Sequence, residues 1–167
     1  MHWTVRTAFT DREWSEACAI LNRVYIGEGY TTADRASAFQ KRERLEPAGE
    51  MLIAVDGDGR IGGAVLFLHV VSELRQLAYD GEREFRLLGV HPDARGTGAG
   101  EALVRACVER AVNAGAGRVV LWSQPRMQAA HRLYARCGFV RAPERDQPDD
   151  RGFTRLVFVK ELEASAG

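Results

Sequence analysis

The stretch Phe85–Gly100, with the sequence FRLLGVHPDARGTGAG, decides the fold. Residues 85–90 are mostly apolar and predict a strand buried on both faces. His91-Pro92-Asp93 should end that strand, because proline has no N–H to donate and fixes its own φ. Glycines follow at positions 96, 98 and 100, and an amphipathic segment then runs from Glu101 to Asn113. The predicted order is strand, turn, glycine-rich loop and helix.

This order favours the binding of a phosphate chain. The first N–H groups of a helix lack intrahelical partners and carry partial positive charge, and glycines let an anion approach the backbone closely. Arg95 adds a full positive charge at the mouth of the loop. The alternative is a tight turn that needs glycine for its conformation alone.

Spacing distinguishes three kinds of glycine loop. A P-loop requires GxxxxGK followed by Ser or Thr, and no lysine stands near this loop. A dinucleotide-binding fold requires GxGxxG and an acidic residue at the end of the next strand, but the strand predicted at Arg118–Trp122 ends without one. What remains is the pattern RxxGxG, filled by Arg95, Gly98 and Gly100. It resembles the acyl-CoA pyrophosphate loop of the GNAT superfamily of N-acetyltransferases, Q/R-x-x-G-x-G/A.

A second signature of the same family follows the loop. Residues 130–139 match the pattern A-x-x-L-Y-x-x-x-G-F, which is similar to the second GNAT motif. The chain departs from that motif at Met127, where many family members have an asparagine that contacts the cofactor. That polar contact should therefore be absent or come from Ser123, Gln124 or Gln128.

The resemblance implies one GNAT domain over residues 1–167, of mixed α/β (α+β) class. Its twisted, mostly antiparallel sheet should have about seven strands flanked by about four helices, with a V-shaped opening beside the central strand. Local patterns agree with the expected elements, which comprise a strand at Trp3–Ala8, a helix from Thr10-Asp11, a second helix from Thr31 to about Leu45, a hairpin of Met51–Val55 with Ile61–Val71, and a closing strand at Phe153–Lys160.

Composition narrows the functional classes. The 167 residues carry 23 basic and 23 acidic side chains, so no global field should draw the protein to nucleic acid or anionic lipid. No apolar run approaches the length of a membrane span, and we expect a cytoplasmic protein. The three cysteines and four histidines lack the spacing of metal ligands, which predicts that no metal is bound.

The resemblance further implies acetyl-CoA, or another acyl-CoA, as co-substrate. Its pantetheine arm should pair with the central strand at Leu88, Gly89 and Val90, whose N–H groups would polarise the thioester carbonyl. We expect Gly89 to allow the strand to bulge or open there. The other predicted cofactor contacts are Arg95, Gly96, Thr97, Gly98, Ala99 and Gly100 in the loop, with Met127 and Ala130 on the following helix.

Two residues are predicted to be catalytic. Tyr134 is the candidate general acid, because a phenol is protonated at neutral pH and can protonate a departing thiolate; alternatively it is a core aromatic residue. Glu84 stands where members of the family often have an acidic residue, so the resemblance implies that it is the candidate base, which takes the proton of the amine through water. Arg86 lies two residues further on the same strand face and should lower the Glu84 pKa. The alternative for Glu84 is a solvated carboxylate at the start of the strand.

The acceptor should be a primary amine, of a small molecule or a peptide, that attacks the thioester directly. Tyr25, Tyr30 and Phe39 are expected to shape its pocket, and the loop Ser72–Arg83 should contribute specificity. His131 is expected at the surface or on a lid. The resemblance to the family also allows for a homodimer. The rival interpretation is a non-catalytic acyl-CoA sensor.

Overall fold

A computed structural model describes residues 2–163, except for the side chains of Ala38 and Phe39. Its α-helices are α1 (Asp11–Gly27), α2 (Ala33–Phe39), α3 (Arg42–Leu45), α4 (Ala99–Asn113) and α5 (Gln128–Arg136). Its strands are β1 (Thr4–Thr7), β2 (Gly49–Val55), β3 (Ile61–Leu68), β4 (Glu82–Val90), β5 (Arg118–Ser123), β6 (Val140–Arg141), β7 (Gln147–Pro148) and β8 (Thr154–Glu161). The segment predicted as one helix to Leu45 is two short helices. The central strand begins three residues earlier than predicted.

The strands form one open sheet in the order β1-β2-β3-β4-β5-β8-β6, and β7 pairs with β8. Every pairing is antiparallel except that of β4 with β5. The mixed α/β class and the mostly antiparallel sheet are therefore confirmed.

The sheet splits along its single parallel pairing. β4 pairs with β5 only where Glu82–Glu84 face Arg118–Val120. Beyond that point β4 continues against β3 as far as Val90, while β5 continues against β8 as far as Ser123. The two strands therefore diverge and leave the V-shaped opening that the resemblance implied.

A bulge in β4 lies beside the opening. The register with β3 shifts between Ala64 and Leu66, and opposite this shift Leu87 adopts a left-handed φ of 62°. The sequence predicted that β4 bulges or opens at Gly89; the strand is open there, and the left-handed residue of the adjacent bulge is Leu87. At Gly89 a Cβ atom would lie 3.0 Å from Leu21 Cδ2, so the glycine provides room for α1.

Both faces of the sheet are covered. Alternate residues of β2 enter different clusters, Met51 and Ile53 with α1 and Leu52 and Ala54 with α4 and α5. This burial explains the near-continuous apolar runs of the strands. Among the described residues no helix is long and apolar enough to cross a membrane, and no cluster of His, Cys, Asp and Glu could hold a metal ion.

Candidate active site

A cavity of about 810 Å³ fills the opening between the diverging strands. The side of β4 contributes Leu88, Gly89 and Val90, and α5 with the residue before it contributes Ala130 and Met127. The glycine loop contributes the remaining predicted contacts except one, namely Arg95, Gly96, Gly98, Ala99 and Gly100. The structure thus gathers ten of the eleven predicted cofactor residues around one space.

The edge of β4 that borders this cavity carries backbone groups outside the ladder with β3. His91 N–H donates to Gly62 O of β3 at 2.8 Å. Because hydrogen-bonded pairs alternate in an antiparallel ladder, the N–H of Val90 is directed away from β3 toward the opening. Leu88 O likewise accepts a hydrogen bond from the Tyr25 hydroxyl, at 3.1 Å. An extended ligand could therefore add to this edge as a strand would.

The start of α4 presents further backbone donors. Gly98 is the N-cap with a φ of 92° and provides no side-chain cap. The first hydrogen bond of the helix runs from Ala102 N to Gly98 O, so the N–H groups of Ala99, Gly100 and Glu101 have no intrahelical acceptor. A Cβ atom at Gly100 would lie 3.0 Å from Leu133 Cδ2. Glycine therefore keeps the helix start close to α5.

Thr97 is the predicted contact that does not line the cavity. Its hydroxyl accepts a hydrogen bond from Trp3 Nε1 at 3.0 Å and donates to Ala94 O. Through these bonds the Thr97 side chain holds the glycine loop against the N-terminal segment. Only the backbone of Thr97 is therefore left as a candidate contact with the cofactor.

Besides the predicted Arg95, the cavity is lined by charged residues that sequence reasoning missed, including Glu28, Arg126 and Arg136. Arg95 forms an ion pair with Glu28, the residue that caps the end of α1. Arg126 donates to Gly29 O at 2.8 Å and lies over the Tyr30 ring, and Arg136 is a further lining cation. These cations come from distant parts of the chain, so no local motif signals that they meet.

Tyr134 is buried in an aromatic cluster and does not itself line the cavity. Its ring centroid lies 6.1 Å from that of Phe85, 6.0 Å from Phe139 and 5.6 Å from Phe158. Burial raises the pKa of the phenol above its ordinary value, and the nearby Tyr25 hydroxyl adds to this effect. Within the described part of the chain its hydroxyl makes no hydrogen bond. The ring is therefore fixed while the hydroxyl stays protonated.

Glu84 is neither solvated nor in contact with either cavity described here. Only 1% of the residue is exposed, and Oε1 accepts hydrogen bonds from the N–H groups of Gln76, Leu77 and Ala78 at 3.1, 2.9 and 3.0 Å. Burial raises its pKa, whereas the sequence predicted that Arg86 would lower it. The N–H groups and Arg86 oppose that rise without reversing it. Glu84 therefore anchors the loop Ser72–Arg83 to β4.

A second cavity, of about 390 Å³, adjoins the first. Tyr25 and Met127 line both spaces, so they form the neck where the two meet. The predicted specificity loop contributes Glu73, Leu74 and Gln76. The other walls are mainly Trp122 and four arginines, Arg35, Arg86, Arg151 and Arg155. Tyr30 lines the first cavity, and the Phe39 side chain is outside the described residues.

The residues around Met127 show which of them could replace the missing asparagine. Ser123 Oγ lies 3.4 Å from Met127 Sδ and 3.1 Å from His131 Nε2. Gln124 donates from Nε2 to Tyr30 O at 3.0 Å. Gln128 alone of the three proposed substitutes lines the first cavity. His131 is half-buried by its contacts with Ser123 and Gln124 O and is therefore only partly at the surface.

Comparison with known proteins agrees with this geometry. The family model described as acetyltransferase (GNAT) family matches residues 13–139. A mycothiol acetyltransferase of Pseudarthrobacter chlorophenolicus is 33% identical over 111 residues, which cover 66% of this chain and 33% of that protein. The mycothiol acetyltransferase of Geodermatophilus obscurus is 28% identical over 83% of this chain and 44% of its own length. The chain thus spans between a third and a half of these two relatives.

Solved structures share the fold at low sequence identity. A Salmonella typhimurium protein assigned as an acetyltransferase, solved with its cofactor acetyl-CoA, superimposes with a TM-score of 0.63 at 20% identity, covering 100% of this chain and 98% of that one. The ribosomal-protein-S18-alanine N-acetyltransferase of Escherichia coli gives a TM-score of 0.68 at 16% identity, with coverages of 99% and 97%. At these identities the likeness concerns the fold alone.

Proposed function

This chain belongs to the acetyltransferase (GNAT) family, and we propose that it transfers an acetyl group from acetyl-CoA to a primary amine of a small molecule or peptide. One observation carries the proposal. The open edge of β4 and the uncapped start of α4 border the same cavity, so donors for an amide chain and donors for a phosphate chain meet in one space.

The lining residues fit acetyl-CoA. The N–H groups of Ala99, Gly100 and Glu101 would hold the pyrophosphate, because a helix start favours anions. Arg95 and Arg126 supply positive charge near this loop. The backbone of Leu88 and Val90 would pair with the amide groups of the pantetheine arm. Gln128 is the polar side chain available on α5 in place of the missing asparagine.

When bound, acetyl-CoA supplies the acetyl group as an activated thioester. The N–H of Val90 is directed to the opening and would polarise a carbonyl held there. Met127, Ala130 and Leu133 line the cavity with apolar surface that would exclude water from the reacting groups. Tyr134 does not line the cavity, but its hydroxyl lies near that of the lining residue Tyr25. We propose that it donates a hydrogen bond and then a proton to the departing sulfur once the thioester is bound. Direct attack by the amine needs no covalent intermediate on the enzyme.

The amine must lose a proton, and Glu84 is poorly placed to accept it directly. Its carboxylate is enclosed and already accepts hydrogen bonds from successive backbone N–H groups. We propose that Glu84 shapes the acceptor side by holding the loop Ser72–Arg83, and that water reached through the second cavity takes the proton. A homodimer and a cytoplasmic location remain predictions.

The test is release of CoA from acetyl-CoA, followed with a thiol-reactive dye across a panel of primary amines. Mass spectrometry of the amine identifies the acetylated product, and calorimetry measures acetyl-CoA binding in parallel. The proposal predicts amine-dependent CoA release with an N-acetylated product. Binding without release on every amine would favour the acyl-CoA sensor, and failure to bind would refute the assignment of the cavity.

A further inference from the structure

The second cavity is lined by far more positive than negative side chains. Arg35, Arg86, Arg151 and Arg155 line it, whereas Glu73 is the one carboxylate that lines it among the residues the structure describes. Glu73 is largely exposed and already forms an ion pair with Arg44, at 3.4 Å. At the rim Arg35 lies 3.7 Å from the exposed Asp150. The inner wall, formed by the other arginines, is therefore where a positive field is least screened by solvent.

A single buried carboxylate orients two of these arginines. The side chain of Asp149 is 0% exposed, and it accepts hydrogen bonds from Arg151 Nε at 2.8 Å and Arg155 Nε at 2.9 Å. One negative charge thus holds two guanidinium groups in place and leaves a net positive charge. Their outer contacts, from Arg155 Nη1 to Gln147 Oε1 and from Arg151 Nη1 to Tyr30 O, are long at 3.5 Å.

Arg86 brings a third cation to the same wall. Desolvation lowers its pKa to about 10, so the guanidinium remains charged at neutral pH. It donates to Leu74 O at 3.3 Å. Glu84 is close enough to favour that charge. An anion entering the cavity would add to this effect and offset more of the desolvation of Arg86.

Trp122 fixes the spacing of two of these cations. Arg86 lies over its ring at 5.7 Å and Arg155 at 4.9 Å from the centroid. The indole Nε1 donates to Gln76 Oε1 at 2.7 Å, which ties the ring to the loop Ser72–Arg83. Guanidinium groups held against an aromatic plane are preorganised to bind an oxyanion through paired N–H donors.

We propose that the acceptor is a primary amine that also carries a carboxylate or a similar oxyanion, which Arg86 and Arg155 bind while the amine lies at the neck between Tyr25 and Met127. This inference rests on the proposed function, since the neck opens onto the proposed acetyl-CoA cavity. A space of about 390 Å³ suits an amino acid or a compound of similar size. Arg151 and Asp149 keep Arg155 oriented and are positioning residues.

The test compares matched acceptors in the CoA-release assay. L-amino acids with a free carboxylate are measured beside their neutral carboxamides and beside their 1-aminophosphonate analogues. We expect kcat/KM to be about ten to one hundredfold higher for an anionic acceptor than for its carboxamide, because a charge-assisted hydrogen bond contributes a factor of that order. The phosphonate arm shows which oxyanion the site prefers.

Variants assign the effect to the arginines. Arg155→Gln should raise KM for the anionic acceptor about tenfold or more and leave the carboxamide unchanged. Arg155→Lys keeps the charge without the paired donors, so its KM for the anionic acceptor should lie between those of wild type and Arg155→Gln. It replaces the glutamine variant in the test if that variant is unstable. Arg12→Gln, on the exposed face of α1, is the matched control and should behave as wild type.

The outcomes separate the two proposals. Equal kcat/KM for carboxamide and carboxylate acceptors would overturn the anion site while leaving the acetyltransferase intact. If no amine is acetylated, calorimetry with the same amino acids still tests the site. Binding of the carboxylate that is lost in Arg155→Gln would then support the anion site and refute acetyl transfer to these amines, whereas equal binding of the carboxamide would overturn the anion site as well.

Discussion

Replacing Tyr134 by phenylalanine removes one hydroxyl and leaves the aromatic ring between Phe85, Phe139 and Phe158. Since the hydroxyl makes no hydrogen bond within the described residues, no partner is left unsatisfied. The free energy of unfolding should therefore change by less than about 1 kcal/mol. The hydroxyl itself lines neither cavity, so acetyl-CoA affinity should stay within about twofold of wild type.

Catalysis should respond much more strongly. A positioned general acid contributes about 10²- to 10⁴-fold to the rate, or about 2.7 to 5.5 kcal/mol of barrier. Burial raises the Tyr134 pKa, which makes complete proton transfer harder and favours hydrogen-bond donation to the developing thiolate. We therefore expect a fall in kcat near the lower end, about one hundredfold.

The assay is CoA release at saturating acceptor and acetyl-CoA, with thermal unfolding measured on the same samples. Tyr79→Phe is the matched control, because Tyr79 is exposed and lines neither cavity, so its kcat and stability should stay close to wild type. A Tyr134→Phe variant with unchanged stability and a kcat within twofold of wild type would refute the argument. Tyr134 would then be a core aromatic residue only.

Four further variants test the surroundings of the site. Gly98→Val forces a β-branched residue to a φ of 92° and should weaken acetyl-CoA binding about tenfold or more by calorimetry, whereas Gly57→Val in an open turn should not. Glu28→Gln releases Arg95 and should tighten acetyl-CoA binding about two- to fivefold; weaker binding would contradict this. Glu84→Gln should lower the free energy of unfolding by about 1–3 kcal/mol in urea titrations and leave the pH–rate profile unchanged. A shifted profile would instead support Glu84 as the base. Burial lowers the His131 pKa from 6.5 in the folded protein, so the unfolded chain binds a proton first and wild-type stability should fall as the pH drops below about 6.5. A His131→Gln variant with the same pH dependence of stability would disprove this contribution.

The sequence predicted those parts of the site that depend on local chemistry. The strand, the glycine spacing and the start of α4 follow from apolar runs and from positions that only glycine tolerates, and the structure brings these residues together. The left-handed residue of the bulge could not be located in this way. Gly89 indicated that the strand bulges or opens, but Leu21 of α1 occupies the space there, and Leu87 adopts the left-handed conformation instead. Tertiary packing overrode the local preference.

The acceptor side was largely beyond sequence reasoning. The second cavity is lined by four arginines that lie far apart in the sequence, Arg35, Arg86, Arg151 and Arg155. In the sequence, arginines that stand among other charged residues are more typical of a solvated surface. Burial of Glu84 was equally hidden, because it depends on a loop without a regular pattern folding back over the start of β4. Only the divergence of β4 from β5 shows that these residues border one space.

Backbone hydrogen exchange with and without acetyl-CoA tests the central claim most directly. The account predicts that acetyl-CoA slows exchange at the N–H groups of Val90 and of Ala99, Gly100 and Glu101, because these donors acquire acceptors only when the cavity is filled. Amides of the distant hairpin between β2 and β3 should exchange at unchanged rates. Protection confined to other segments, or none at saturating acetyl-CoA, would contradict the assignment of the cavity between β4 and β5.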